Sequence, residues 1–118
     1  MKQYLFLMRH APHLTSHVQE ALDQLLTTAA FDQTVSVLFM DNGVLQLKRD
    51  QDSGSLGGRD ILAVLRALPL YDVEQLFVER ESLLESGLTE FDLELSVHVI
   101  ERNEVHALLA AQDIIVSD

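Results

Sequence analysis

Two short, mostly unbroken apolar runs, YLFLM from Tyr4 to Met8 and VSVLFM from Val35 to Met40, constrain this chain more than any other feature. Runs this short are too brief for helices, and they lack the alternation of a strand with one wet face. They predict strands covered on both faces, the condition of a parallel sheet. Parallel neighbours need a crossover, and the intervening residues supply one: Val18, Ala21, Leu22, Leu25, Leu26 and Ala29 recur at helical spacing. Ser16 and Gln19 are spaced as a capping box at its start. Burying Val18, Leu22, Leu25 and Leu26 contributes on the order of 1.5–3 kcal/mol each, against about 1–2 kcal/mol of backbone entropy for each residue ordered. The helix therefore holds only when docked on the sheet.

The pattern continues along the chain. Asp41-Asn42-Gly43 reads as the cap of a short helical turn through Val44, Leu45 and Leu47, with a hairpin turn as the alternative. KRDQDSGSLGG, Lys48 to Gly58, holds three of the five glycines and reads as a surface loop rather than a domain boundary. Ile61, Val64, Leu65 and Leu68 predict a second helix ended by Pro69, and QLFVE a third strand. Ser82 to Ser86 reads as a helical turn stopped by Gly87. Leu93, Leu95, Val97 and Val99 alternate with Glu94, Ser96 and His98 as in a strand with one wetter face. Val105, Leu108 and Leu109 predict the last helix, and DIIV, Asp113 to Val116, a closing strand. This order predicts one domain over residues 1–118: an α/β protein, a three-layer α/β/α sandwich on a mainly parallel five-stranded sheet.

Charge and cysteine content narrow the function. Nineteen acidic residues against eight basic ones give a formal net charge of −11, which repels a phosphate backbone and argues against direct nucleic-acid binding. No apolar run approaches the ~20 residues of a membrane span, and the expected compartment is the cytoplasm. With no cysteine in the chain, its own side chains offer no disulfide, thiolate metal site or covalent sulfur chemistry.

Sites in open α/β sheets gather outside the carboxyl ends of the strands, here His10 to Thr15, Asp41 to Val44, Glu79 to Ser82 and Ile100 to Glu104. Arg9-His10 after the first strand suggests a phosphohistidine-type phosphatase using His10. That chemistry needs several cations and a second proton donor. Arg49 and Arg59 flank the loop, Arg66 lies in a helix, His98 lies within the alternating strand and His106 within the last helix, so a strand ending in polar residues is the simpler reading. His10, His13 and His17 lack the spacing of a helix face and a nearby carboxylate, so no metal or other cofactor is expected. A receiver-type phosphoacceptor at Asp41 fails because the acidic pair after the first strand and a late lysine are missing. Asp72, Glu74, Glu79 and Glu81 read as a solvated acidic face.

Longer segments carry a family signal. EALDQLLTTAAFDQTVSVLFMDNGVLQL (Glu20 to Leu47), ALPLYDVEQLFVERESLLESGL (Ala67 to Leu88) and the closing LLAAQDIIVSD together resemble the DsrF and TusC subunits of the DsrEFH/TusBCD sulfur-relay complexes, in the DsrE/DsrF family. The resemblance implies a DsrE-like fold and a cytoplasmic dimer of heterotrimers with DsrE/TusD-like and DsrH/TusB-like partners. In it, persulfide sulfur passes between cysteines and on to sulfur-carrier proteins. The TusBCD form serves 2-thiolation of the tRNA wobble uridine, and the DsrEFH form serves sulfur oxidation. The family's transfer cysteine belongs to the DsrE/TusD subunit; the comparable region here, Gly57 to Asp60, contains no sulfur. RHAPHLTSH departs from the family's usual turn. The resemblance implies a non-catalytic subunit that positions a partner's cysteine, and Asn42, Gly43, Tyr71 and Asp72 are the expected subunit-contact residues or their support. A free-standing oligomeric binding module is the remaining alternative.

Overall fold

A computed structural model describes residues 2–12, 17–49 and 61–118. Five strands, β1 (Gln3–Met8), β2 (Thr34–Phe39), β3 (Gln75–Glu79), β4 (His98–Ile100) and β5 (Ile114–Ser117), form one sheet in the order β4-β3-β2-β1-β5. Every pairing between strands is parallel, with Tyr4 opposite Val35 on one side of β1 and Ile114 on the other. The expected α/β architecture is what the chain adopts. The apolar runs are covered on both faces: Leu5, Phe6, Met8, Val37, Leu38 and Phe39 have no exposed surface.

Among the described residues four α-helices cover the sheet: α1 (His17–Ala30), α2 (Ile61–Arg66), α3 (Arg80–Glu85) and α4 (Arg102–Ala110). The first four strands step in one direction across the sheet, and α1, α2 and α3 bury Leu22, Leu25, Ile61, Leu65 and Leu83 in one large cluster with Phe6, Val37 and Val78. The connection from β4 to β5 then runs back across the sheet to the far side of β1. For crossovers of one hand, reversal of direction moves the helix to the opposite face. Accordingly α4 lies there, with Val105 against Leu5 and Leu38 in a second, smaller cluster.

Three expectations are corrected. The alternating segment from Leu93 to Val99 is not one strand: β4 is only His98–Ile100, paired with Phe77 to Glu79. Leu93 is instead buried beside an isolated antiparallel bridge to Lys48, and Leu95 and Val97 pack half-buried on the large cluster. Past that bridge, alternate burial without a strand partner produces the same pattern of residues from Leu95 to Val97. Asp41 does not cap the turn that follows β2, because it is itself the first residue of the 3-10 helix Asp41–Leu47, with φ of 52°. Pro69 sits in the first turn of a further 3-10 helix, Leu68–Tyr71, where its missing N–H costs nothing, and α2 has already ended at Arg66. Gly87 stops the segment after α3 as expected: its φ is 72°, and its N–H and that of Leu88 close on the carbonyls of Leu84 and Leu83. Ser16 and the stretch from residue 50 to 60, most of the predicted loop, lie outside the described residues.

Candidate functional site

The carboxyl ends of the strands carry two polar networks. The first joins β1 to the edge strand β5. Asp118 follows β5, and its side chain is wholly buried. One carboxylate oxygen accepts the backbone N–H of Arg9 and lies 2.9 Å from His10 Nδ1. The other accepts the His10 N–H at 3.3 Å and the Gln46 side-chain amide at 3.4 Å. That amide also donates to the His10 carbonyl at 2.9 Å, and Gln46 is completely buried. His10 is thus gripped through its main chain and one ring nitrogen, while 45% of its side chain stays exposed.

Gly43 makes this arrangement possible. A Cβ there would lie 1.8 Å from the Met8 carbonyl oxygen and 2.9 Å from the Arg9 nitrogen. Only glycine lets the 3-10 helix press on the end of β1 closely enough for Gln46, three residues on, to reach His10.

The second network centres on Glu79 at the end of β3. Glu79 is fully buried; its Oε1 accepts the Ser82 hydroxyl at 2.5 Å and Arg102 Nη2 at 2.9 Å. Ser82 Oγ in turn accepts the Asp41 backbone N–H. Arg102 spans to Glu85, and its backbone N–H reaches Glu81. The hydrogen bonds that it donates to Glu79 and then Glu85 raise the Arg102 guanidinium above the ordinary arginine value, so it stays a cation throughout. Glu79 is therefore not part of a solvated acidic face, since the charge of Arg102 is what lets a carboxylate lie at the end of a buried strand. Asp41 links the two networks, because its carboxylate pairs with Arg9 Nε at 2.9 Å.

This geometry gives a phosphoryl group little to hold it. Arg9 is committed to Asp41, Arg66 to Glu94, Arg102 to Glu79 and Glu85, and Arg49 to the Leu93 carbonyl. His98 opens β4, three strands from β1, where it stacks near Phe77 at a centroid distance of 5.5 Å. It is at the amino end of that short strand rather than inside a longer one. Among the described residues no group of three His, Cys, Asp or Glu is placed to hold a metal ion; His13 lies outside them.

The expected contact residues fall at opposite ends of the molecule. Asn42 is exposed and Gly43 buried at the carboxyl end of the sheet. Tyr71 and Asp72 precede β3 at the amino end, beside exposed Leu70. Ser82 and Arg102 fall within the strand-end segments that the sequence marked, Glu79 to Ser82 and Ile100 to Glu104, whereas Asp118 and Gln46 did not stand out; Gln46 was visible only as a polar residue between Leu45 and Leu47.

Residues 2–117 match the DsrE/DsrF-like family. Among curated relatives, the intracellular sulfur oxidation protein DsrF of Allochromatium vinosum is 42% identical over 105 residues, covering 88% of this chain and 77% of that one. A TusC homolog of Pseudomonas aeruginosa is 37% identical over 113 residues, covering 96% and 95%, and one of Vibrio vulnificus 35% over 109 residues, covering 92% of each. The crystal structure of the ychN protein from E. coli superposes with a TM-score of 0.86 over the whole of both chains at 16% identity, which is a likeness of fold.

Proposed function

The chain belongs to the DsrE/DsrF-like family, and from that premise we propose that it is a non-catalytic subunit of a sulfur-relay complex, positioning a partner's cysteine for persulfide transfer. The observation that carries the reading is a sulfur-relay relative without a single cysteine. A persulfide carrier must own a thiol, so the sulfur passes through DsrE/TusD-like and DsrH/TusB-like partners while this subunit holds them in register. The assembly is a cytoplasmic dimer of heterotrimers that hands sulfur to carrier proteins. With a net charge of −11, this subunit leaves contact with tRNA to the enzyme that modifies it.

We assign two contact surfaces in this reading. Tyr71, 41% exposed, adds apolar surface beside Leu70, 85% exposed, with the Asp72 carboxylate next in the chain. Asn42 faces outward at the other end of the sheet, on a 3-10 helix that Gly43 seats. The pathway we assign is 2-thiolation of the tRNA wobble uridine, supported by TusC homologs that align along nearly their full length. Sulfur oxidation is the second reading, favoured by the 42% identity to DsrF.

Co-expression with two related DsrE-like and DsrH-like subunits, followed by native mass spectrometry, tests the scaffold. A complex containing all three supports it, and a chain that assembles only with itself refutes it. Loss of 2-thiouridine from tRNA on deletion assigns the thiolation pathway; unchanged tRNA with impaired sulfur oxidation assigns the other.

A further inference from the structure

We infer that the outer edge of β4, with the groove that α3 forms beside it, is a docking surface for a second copy of this chain. The two copies are related by a two-fold axis, and their sheets run on into each other through antiparallel β4 strands. The inference goes beyond the sulfur-relay reading and does not depend on it, because it concerns two copies of this chain rather than paralogous partners.

The backbone is open at this edge. β4 is the last strand on its side of the sheet, and among the described residues it pairs with β3 alone. Immediately before it, Leu95 to Val97 keep the alternation of half-buried and exposed residues, yet among the described residues they make no main-chain hydrogen bond. From Leu95 to Ile100 the sequence LSVHVI contains no Pro, Lys, Asp or Glu, the residues that ordinarily keep an edge from pairing. A strand added there gains main-chain hydrogen bonds along its length.

The side chains beside the edge are apolar. Leu83, Leu84, Leu88 and Val99 line an open cavity of about 170 Å³ between α3 and β4, with Arg80, Thr89 and Glu90 completing its lining. Leu83 and Leu88 are buried, but Leu84 between them is 67% exposed. Covering it is what a docked surface would gain.

Charge names the occupant. α3 starts at Arg80, just past the carboxyl end of β3, and the chain returns from it toward the amino end of β4, so Arg80 and Glu90 stand toward opposite ends of the groove. Among the described residues neither side chain has a hydrogen-bond or ion-pair partner. A two-fold rotation that sets β4 antiparallel to its copy lays the carboxyl end of one groove on the amino end of the other. Arg80 of each copy then faces Glu90 of the other, twice per dimer, with the two Leu84 side chains brought together between these pairs. The patch is complementary to itself, as an isologous contact requires. The net charge of −11 on each copy opposes approach, but salt screens it within about 8–10 Å, while the Arg80–Glu90 pairs form in contact.

Sedimentation equilibrium of the full chain at physiological salt tests the pairing, with circular dichroism to confirm that each variant is folded. Arg80, Leu84 and Glu90 are all exposed, so changes there spare the core. Wild type at about 100 µM is expected to be dimeric, which requires only a dissociation constant of about 10 µM or below. Arg80→Glu and Glu90→Arg should each weaken the dimer about tenfold or more, since each replaces two attractive pairs by two repulsive ones. Leu84→Glu should act in the same direction by setting two carboxylates against each other. An equimolar mixture of the Arg80→Glu and Glu90→Arg chains should dimerise again, because each then meets a copy of the opposite charge pattern. A monomeric wild type overturns the inference. So does a dimer that Leu84→Glu or both charge reversals leave unchanged, and so does a mixture that stays monomeric after each variant alone has lost the dimer.

Discussion

Gly43→Ala is the most demanding single change the structure suggests. The added Cβ would stand 1.8 Å from the Met8 carbonyl oxygen and 2.4 Å from its carbon, where such carbon–oxygen contacts normally begin near ~3.3 Å. One side must retreat by roughly 1.5 Å, and neither is free to do so. The Met8 carbonyl accepts the Met40 N–H at 3.0 Å, and Met8 is in register with Phe39 at the end of the ladder. The Gly43 N–H is bound to the Met40 carbonyl at 2.9 Å, and Val44 and Leu47 on the same 3-10 helix are fully buried. Overpacking typically costs about 1–3 kcal/mol, and with main chain on both sides of the clash the upper end applies, about 3 kcal/mol. At about 4 °C per kcal/mol for a domain near this size, the midpoint of thermal unfolding followed by circular dichroism should drop by about 12 °C. A midpoint within about 2 °C of wild type would refute the close-approach argument, and with it the account of how Gln46 reaches His10.

Further expectations are open to direct measurement. Arg102→Leu strips the buried Glu79 carboxylate of its cation, so the unfolding midpoint should fall clearly, and the double variant with Glu79→Gln should recover part of the loss; equal midpoints for wild type and Arg102→Leu would contradict the pairing. Asp72 holds φ of 62° at the end of the 3-10 helix Leu68–Tyr71, so Asp72→Val should destabilise by about 1–2 kcal/mol while Asp72→Gly is tolerated, as denaturant titration would register. Leu22→Ala removes a side chain with no exposed surface from the large cluster and should cost about 2–5 kcal/mol, a loss that a near-unchanged titration midpoint would disprove. Tyr71→Ala should leave the fold intact by circular dichroism and reduce the yield of the three-subunit complex in native mass spectrometry; full assembly would remove Tyr71 from the contact surface.

Local pattern carried the architecture because burial on two faces leaves its trace residue by residue. YLFLM and VSVLFM became β1 and β2 within a residue at each end, and the helical spacing from Val18 to Ala29 became α1. The same logic misled from Leu93 to Val99, since alternate burial identifies which side chains turn inward but says nothing about whether a backbone lies alongside to bond. Glu79 was misread for a related reason. A carboxylate at a strand end looks solvated until a cation from another element arrives, and Arg102 comes from 23 positions away.

The amino-acid sequence by itself determined that this molecule carries no reactive sulfur of its own, and that its central strands are buried on both faces; both are matters of which residues are present and in what local order. Tertiary structure alone decided what His10 is. Its partner Asp118 stands 108 positions away and meets it only because β5 returns to the free side of β1. Residue type prescribes local burial, but a long-range parallel pairing is settled by the packing of the whole sheet, and the chemistry at its edge is settled with it.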